Sequence, residues 1–390
     1  MSGSARQRWR ERWRRVHLWL GLSLGTLLAL LGLSGSVLVF YTEIDAVLEP
    51  ALRWQERDGR VQRWEPVLQA LQQAHPERER GWRIELPPGG AGIVTARYLK
   101  PVERSGEFFA PLLVSVHPTS HQVLATRFWG DFAMTWLYDL HFSLLAGESG
   151  RTVVGVAGSI GLVSLVSGVV LWWPRSTSQW RQAWRFKTGA APARRTWDQH
   201  RLGGIYGLVL LALLTLTGVV LALPQWVDPL LAPWTAPAVS PRPRSTPPAD
   251  GSSHRLSLDQ ALAAAHARFP QAAIRWVDTP DGPTGTYRMR MQQPGEPSAR
   301  FPRTLVWIDA YSGRVLAEQD ARRLGRVDTV MAWVHPLHNG EALGLAGRLT
   351  AAAAGLLLPV LWVTGLMRWR DRRRGSAAAA ARRTLQAAAH

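Results

Sequence analysis

Apolar residues gather into four runs, roughly 16–41, 151–173, 201–223 and 343–367. Each is about 20 residues or longer with almost no charge, enough to cross a bilayer as a helix. A polar stretch of about a hundred residues separates the first run from the second, and a similar one separates the third from the fourth, whereas the second and third are joined by a short connection. Within the polar stretches the period changes. EPVLQALQQAHPE (65–77) and LDQALAAAHARFP (258–270) repeat apolar residues at helical spacing. LLVSVHPTSHQVL (112–124) and TLVWIDAYSGRVL (304–316) alternate, turn and resume, as a β-hairpin does. Each polar stretch therefore predicts an amphipathic helix followed by a small antiparallel sheet. The Pro-, Ser- and Ala-rich segment from Pro237 to Ser253 reads as a linker, and the Ala-rich basic tail from Gly375 as a frayed helix or a disordered end.

The matching stretches amount to a duplication. VHLWLGLSLGTLLALLGLSGSVL (16–38) aligns with QHRLGGIYGLVLLALLTLTGVVL (199–221) at an offset of 183, so that His17 meets His200, Gly21 meets Gly204 and Gly35 meets Gly218. WLYDLHFSLLAGESGR (136–151) aligns with WVHPLHNGEALGLAGR (333–348) at an offset of 197. There Trp136 meets Trp333, His141 meets His338, Gly147 meets Gly344 and Arg151 meets Arg348, and the match runs on to Gly168/Gly365 and Trp172/Trp369.

Charge orients this pattern. The net charge is +18, concentrated at 6–15, between Arg175 and Arg201, and at 368–374. These clusters flank apolar runs, so the positive-inside rule accounts for them better than nucleic acid does. The rule predicts both termini inside, four spans and two large domains outside. The expected divisions are 1–41 (basic start and first span), 42–135 (first outer domain), 136–173 (outer histidine segment and second span), 174–200 (basic loop), 201–223 (third span), 224–332 (second outer domain), 333–367 (outer histidine segment and fourth span) and 368–390 (basic tail). The first 41 residues resemble a signal peptide in outline, but the apolar run is long and lacks a small-x-small cleavage site, so it reads as a retained helix. The absence of cysteine excludes disulfides, iron–sulfur clusters and thioether-attached haem.

Four recurring histidines carry the candidate chemistry. An electron-transfer haem is well held by two imidazoles, one from each of two facing helices, and a duplicated bundle presents symmetry-related histidines to each other. His17 and His200 begin the odd-numbered spans at the inner face. His141 and His338 precede the even-numbered spans at the outer face. Pairing within each set predicts two haems, dividing a span of about 30 Å into shorter hops. Gly21 and Gly204, four residues after the inner histidines, would leave room for a flat macrocycle. The alternative is that these are interfacial histidines beside helix-packing glycines. Arg151 and Arg348 suit haem propionates, or simply mark the outer ends of spans.

The order of these motifs resembles the PepSY-associated transmembrane family of iron-regulated bacterial inner-membrane proteins. The likeness covers about 10–370, is most specific around "LHxxLxxG…GR", "HRxxG" and "PLHxGxxxGxxGR", and is looser in the outer segments. It implies a four-helix transmembrane α bundle with two α+β PepSY-like periplasmic domains. It also implies haem b as cofactor and reduction of a ferric siderophore, with electrons from quinol or a cytoplasmic donor and lipid as the surroundings.

Other residues carry less. His335 matches Tyr138, so it lacks the symmetry of a ligand and reads as a hydrogen-bonding group for substrate or haem. His117 and His121, matched by Asp309 and Gly313, read as turn surface, and His75 and His266 as helix caps. The tryptophans read as an aromatic belt, with Trp129 and Trp333 as possible contacts to a bulky ligand. Arg97, Lys100, Arg104, Arg288 and Arg290 would attract an anionic chelate, or serve only solvation. There is no dinucleotide fingerprint, P-loop or flavin motif, and no acid lies mid-span, which argues against nicotinamide chemistry and a proton-coupled transporter. The competing reading is a non-catalytic membrane protein whose outer domains bind a peptidase or other partner.

Overall fold

A computed structural model describes residues 3–235, 243–249 and 254–388. The chain opens with α1 (Gly3–Ser23), α2 (Gly25–Leu38) and α3 (Tyr41–Leu48). The first polar stretch supplies α4 (Glu65–Ala74), β1 (Arg83–Glu85), β2 (Val94–Tyr98), β3 (Leu112–Val116) and β4 (Val123–Phe128). Next come α5 (Ala133–Ser143), α6 (Gly147–Trp172), α7 (Trp180–Ala183), α8 (Pro192–Tyr206), α9 (Leu208–Ala222) and α10 (Pro224–Leu231). The second polar stretch supplies α11 (Leu258–Arg268), β5 (Ala273–Asp278), β6 (Thr286–Gln292), β7 (Thr304–Asp309) and β8 (Val315–Gln319). The chain closes with α12 (Arg326–His338) and α13 (Gly344–Ala388). The expected tail beyond Gly375 therefore continues α13 as helix. The expected linker at 237–253 falls largely outside the described residues. Within it, the Ser245 N–H donates to the Thr284 carbonyl at 3.0 Å, and its hydroxyl accepts from the Ala310 N–H at 2.8 Å.

The two expected helix-plus-sheet segments join edge to edge. The eight strands among the described residues form one antiparallel sheet in the order β4-β3-β2-β1-β5-β6-β7-β8. The seam is β1 with β5, where Arg83, Ile84 and Glu85 pair with Asp278, Val277 and Trp276. Each half alone would leave a β1 or β5 edge with unpaired backbone groups, and pairing the two removes both edges. One face of this sheet carries a continuous core in which α4 and α11 lie on Ile84, Val94, Val277, Met289 and Ile308. The helices also cap each other's starts. The Asp259 carboxylate accepts from the Trp64 N–H at 2.7 Å, and Glu65 accepts from the Leu258 N–H at 2.5 Å. The hairpin expectation holds at both copies, with Gly313 at φ +72° and His121, its counterpart, at φ +58°.

Ile84 is fully buried on the seam strand. Ile84→Ala is expected to cost about 2–5 kcal/mol, read by denaturation followed through tryptophan fluorescence. A loss under about 1 kcal/mol would show that the seam is not a packed core.

Among the described residues two helices, within Gly147–Trp172 and Glu341–Ala377, are long and apolar enough to cross a membrane. The first and third apolar runs are not straight spans. They are bent pairs, α1–α2 by 59° and α8–α9 by 61°, and the count reaches four only if each pair is one span. The breaks fall at Leu24 and Gly207, equivalent positions of the duplication, and each is at or beside a glycine, where helices bend most readily. Close approach of α2 to α13 also needs glycine. A Cβ on Gly32 would stand 2.5 Å from the Gly355 carbonyl oxygen.

Candidate functional site: two histidine pairs

The four recurring histidines meet as two pairs. His17 on α1 faces His200 on α8 with ring centroids 6.1 Å apart and planes at 78°. His141 on α5 faces His338 on α12 at 6.2 Å and 44°. The second pair lies at the end of the helices that carries the sheet; there Trp129, which follows β4, donates its indole N–H to Asp139 of α5 at 2.9 Å.

Each imidazole rests on a neighbouring helix in the same way. His17 Nδ1 lies 2.8 Å from Ser167 Oγ and 3.2 Å from the Ser164 carbonyl of α6. His200 Nδ1 lies 3.1 Å from Thr364 Oγ1 and 2.9 Å from the Leu361 carbonyl of α13. His338 Nδ1 lies 3.0 Å from both Thr217 Oγ1 and the Leu214 carbonyl of α9. His141 Nδ1 lies 3.0 Å from Ser34 Oγ of α2. One residue beyond each hydroxyl is a glycine under the ring edge. A Cβ there would meet the histidine Cε1 at 2.8 Å for Gly35, 3.0 Å for Gly218, 3.2 Å for Gly365 and 3.5 Å for Gly168. The shelf is a short motif repeated four times, LSG (33–35), VSG (166–168), LTG (216–218) and VTG (363–365).

This shelf fixes the tautomer. Each hydroxyl already donates to a carbonyl of its own helix: Ser34 to Leu30 at 2.8 Å, Ser167 to Ser164 at 2.7 Å, Thr217 to Leu213 at 2.7 Å and Thr364 to Val360 at 2.7 Å. Toward the imidazole the hydroxyl accepts, so Nδ1 carries the proton and Nε2 keeps its lone pair. No Nε2 of the four makes a hydrogen bond among the described residues. A metal between two opposed imidazoles lies about 2 Å from each nitrogen, and the ring half-widths bring the centroids to roughly 6 Å apart. Both pairs have that separation. Among the described residues no cluster of three or more His, Asp or Glu could hold a bare metal ion. The arrangement suits a metal that needs only two protein ligands.

The levels of the two pairs follow from the helix they share. Val219, next to the Gly218 shelf, packs on Gly158 of α6, and His17 rests on Ser167 of the same helix. Nine residues of rise put the pairs about 14 Å apart along the axis.

The other expected site residues lie as follows. Gly21 and Gly204 border open space: a Cβ on Gly21 would meet nothing within 4 Å, and one on Gly204 only Leu361 at 3.9 Å. The Arg151 guanidinium donates to the Leu221 carbonyl at 2.9 Å, at the end of α9. Arg348 donates to the Val39 carbonyl at 2.8 Å, beyond α2, and pairs with Glu43 at 2.7 Å. Both satisfy carbonyls that helix ends leave open. Trp129 is buried against Phe109 and Tyr138, so it offers no open face to a ligand, whereas Trp333 is exposed. His117 Nδ1 accepts backbone N–H groups of its own turn, and His75 is the residue that ends α4. His335 stacks edge-on against Phe301 at 4.5 Å, and burial, with Arg300 and His338 nearby, pushes its pKa down to about 3.

A duplicated helical protein with two half-buried histidine pairs under one antiparallel sheet is the class this architecture defines. The model of the PepSY-associated TM region matches residues 14–372, and the chain belongs to that family. With its apolar helices, this makes it a membrane protein. It is also similar to the uncharacterized protein PA4219 of Pseudomonas aeruginosa, 29% identical over 261 residues. That match covers 62% of this chain and 64% of the relative, just under two thirds of its length.

Proposed function

We propose that this chain carries single electrons through a bacterial inner membrane and delivers them to a ferric chelate on the sheet side, with one haem b held between each histidine pair. The observation that carries the reading is the pairing of four imidazoles whose Nδ1 atoms are engaged on neighbouring helices, with ring centroids two by two at the separation that a bis-imidazole metal requires. Bound there, haem supplies one-electron chemistry at an iron with no open position.

The protein's own residues do the rest. The hydroxyl and carbonyl shelves orient the rings and raise the basicity of Nε2. Arg151 keeps a buried Nε without a partner and remains the better propionate candidate, because Arg348 is already paired with Glu43. At the sheet side, one electron reduces Fe(III) of the chelate to Fe(II), which hard-oxygen ligands hold less tightly, and the ligand is released. Counting each bent pair as one span gives a four-helix bundle. The basic residues around Arg10, Arg194 and Arg368 gather at its sheet-distal end, which supports that end as cytoplasmic and the sheet as periplasmic. Electrons then enter at His17/His200, from quinol or a cytoplasmic donor.

Two measurements test this reading. Protein reduced anaerobically is expected to be reoxidised on mixing with a ferric chelate, with one Fe(II) trapped by a ferrous chelator for each electron lost. A reduced protein that stays reduced in excess chelate contradicts it. Thr217→Val removes an acceptor from His338 Nδ1 while keeping the side-chain shape. Haem retention at that site is expected to weaken about 10-fold, the lower end for such supporting groups because the Leu214 carbonyl remains. Transfer to apomyoglobin reads it, and an unchanged transfer rate contradicts the orienting role of the shelf.

A further inference from the structure

The sheet face opposite α4 and α11 is charged and turned toward the helices. The strand register lines Arg97, Arg83, Asp278 and Arg288 along one rung and Glu85, Trp276 and Arg290 along the next. Asp278 answers two of the arginines. It accepts from Arg83 at 2.6 and 3.1 Å and pairs with Arg288. Three others have no such answer. The guanidiniums of Arg97, Arg290 and Arg300 make no hydrogen bond among the described residues. Arg97 is only 14% exposed, its Nε is buried without a partner, and its nearest carboxylate oxygen, on Glu85, is 3.7 Å away. Burial and the neighbouring arginines push the Arg290 pKa down to about 10.

These groups belong to one neighbourhood. Arg97 lies over the indole of Trp276 at 4.8 Å, and the Trp276 Nε1 donates to the Arg300 carbonyl at 2.7 Å. The Arg300 guanidinium stands over Tyr41 at 5.8 Å, and the next residue, Phe301, touches His335. His335 is three residues from His338, on the same helix. Five arginines (83, 97, 288, 290 and 300) thus face three carboxylates, Glu85, Asp278 and Glu341, the last of which accepts from the Arg300 backbone N–H at 3.2 Å, an excess of two positive charges beside the sheet-proximal histidines. Burying guanidiniums without hydrogen bonds is costly unless something anionic comes to them.

We propose that Arg97, Arg290 and Arg300, with Tyr41 and Trp276 as aromatic walls, form a binding site for a multiply anionic, oxygen-rich ferric chelate of the carboxylate or catecholate class. This rests on the preceding reading and deepens it by naming the substrate's charge. Guanidiniums pair with carboxylate and catecholate oxygens through forked hydrogen bonds, and the same excess repels a cationic hydroxamate complex.

Gallium(III) chelates test the site without electron transfer, because Ga(III) has the charge of Fe(III) and is not reduced. Full-length protein in detergent is titrated calorimetrically with gallium(III) citrate, with the gallium(III) tris-catecholate trianion and with a cationic gallium(III) hydroxamate. The anionic chelates are expected to bind, more weakly as salt rises, and about tenfold or more weakly in Arg97→Gln and Arg290→Gln. The cationic chelate is expected not to bind. Arg97→Lys and Arg290→Lys keep the charge and lose the fork, so they fall in between and carry the test if a glutamine variant does not fold. Anionic chelates that do not bind, that bind no better than the cationic one, or that bind these variants like wild type overturn the proposal. So does loss of haem absorbance in Arg97→Gln with chelate binding intact, which would assign the guanidiniums to propionates. Failure of the haem reading is distinguishable, since it removes the Soret band and leaves the gallium titrations untouched.

Discussion

His338→Ala is expected to purify with one haem per chain where the wild type carries two. The imidazole of His338 is one of two ligands at the sheet-proximal site, and its removal leaves His141 facing a methyl group. No other histidine replaces it. His335 lies on the same helix, but its ring is held edge-on against Phe301 and its Nδ1 lies 3.4 Å from the Asn339 side chain. The sheet-distal pair rests on different shelves, Ser164–Gly168 and Leu361–Gly365, about 14 Å along the axis. It is expected to keep its haem and its spectrum. His141→Ala should give the same result, and added imidazole should partly restore the lost site in either variant. Haem quantification per chain, with gel filtration as the check on folding, reads the outcome. Two haems retained would remove His338 from the ligand set. Both lost from a folded protein would mean that the pairs are not independent.

Gly35→Ala is expected to empty the same site without touching a ligand. The added Cβ would stand 2.8 Å from His141 Cε1, closer than real contacts allow. The imidazole must then move off the Ser34 hydroxyl, and Nε2 moves with it. Misplacing an orienting partner of a metal-bound histidine weakens binding about 10- to 100-fold. The control is Gly168→Ala, where the corresponding distance to His17 is 3.5 Å, an ordinary contact. That variant is expected to keep both haems and to gain up to about 1 kcal/mol of helix stability. Equal haem content in the two variants would show that the glycines do not seat the rings.

Much of this site was legible in the sequence. The duplication exposed His17, His200, His141 and His338 in register, and the charge pattern sorted them into the two pairs that the structure brings face to face. The shelves went unread: Ser or Thr followed by Gly is common along the chain, and only the longer form with Leu or Val in front is confined to 33–35, 166–168, 216–218 and 363–365. Proximity in sequence drew attention to Gly21 and Gly204, one turn from a histidine on its own helix. The residues on which the rings rest lie on the neighbouring helix, and a single-helix periodicity cannot show them. Arg151 and Arg348 were legible as helix-end residues, but their partners, the Leu221 and Val39 carbonyls, are distant in sequence.

The sheet marks the other limit. Alternating apolar residues announced the hairpins β3–β4 and β7–β8. The joining of β1 to β5 is a contact between residues about 190 apart, and a strand of three residues such as Arg83–Glu85 has too little pattern to announce it. The joining nevertheless has a functional consequence. It brings Arg97 and Arg290, one from each half, onto adjacent rungs of one face, where two separate domains would have held them apart.

The central claim is that each histidine pair holds a haem, and a visible spectrum of the purified protein with and without dithionite tests it most directly. The account predicts a low-spin b-type spectrum with a sharpened α band on reduction, about two haems per chain, and two resolvable components, because the ring planes stand at 78° in one pair and 44° in the other. A colourless, folded protein from haem-replete cells would contradict it.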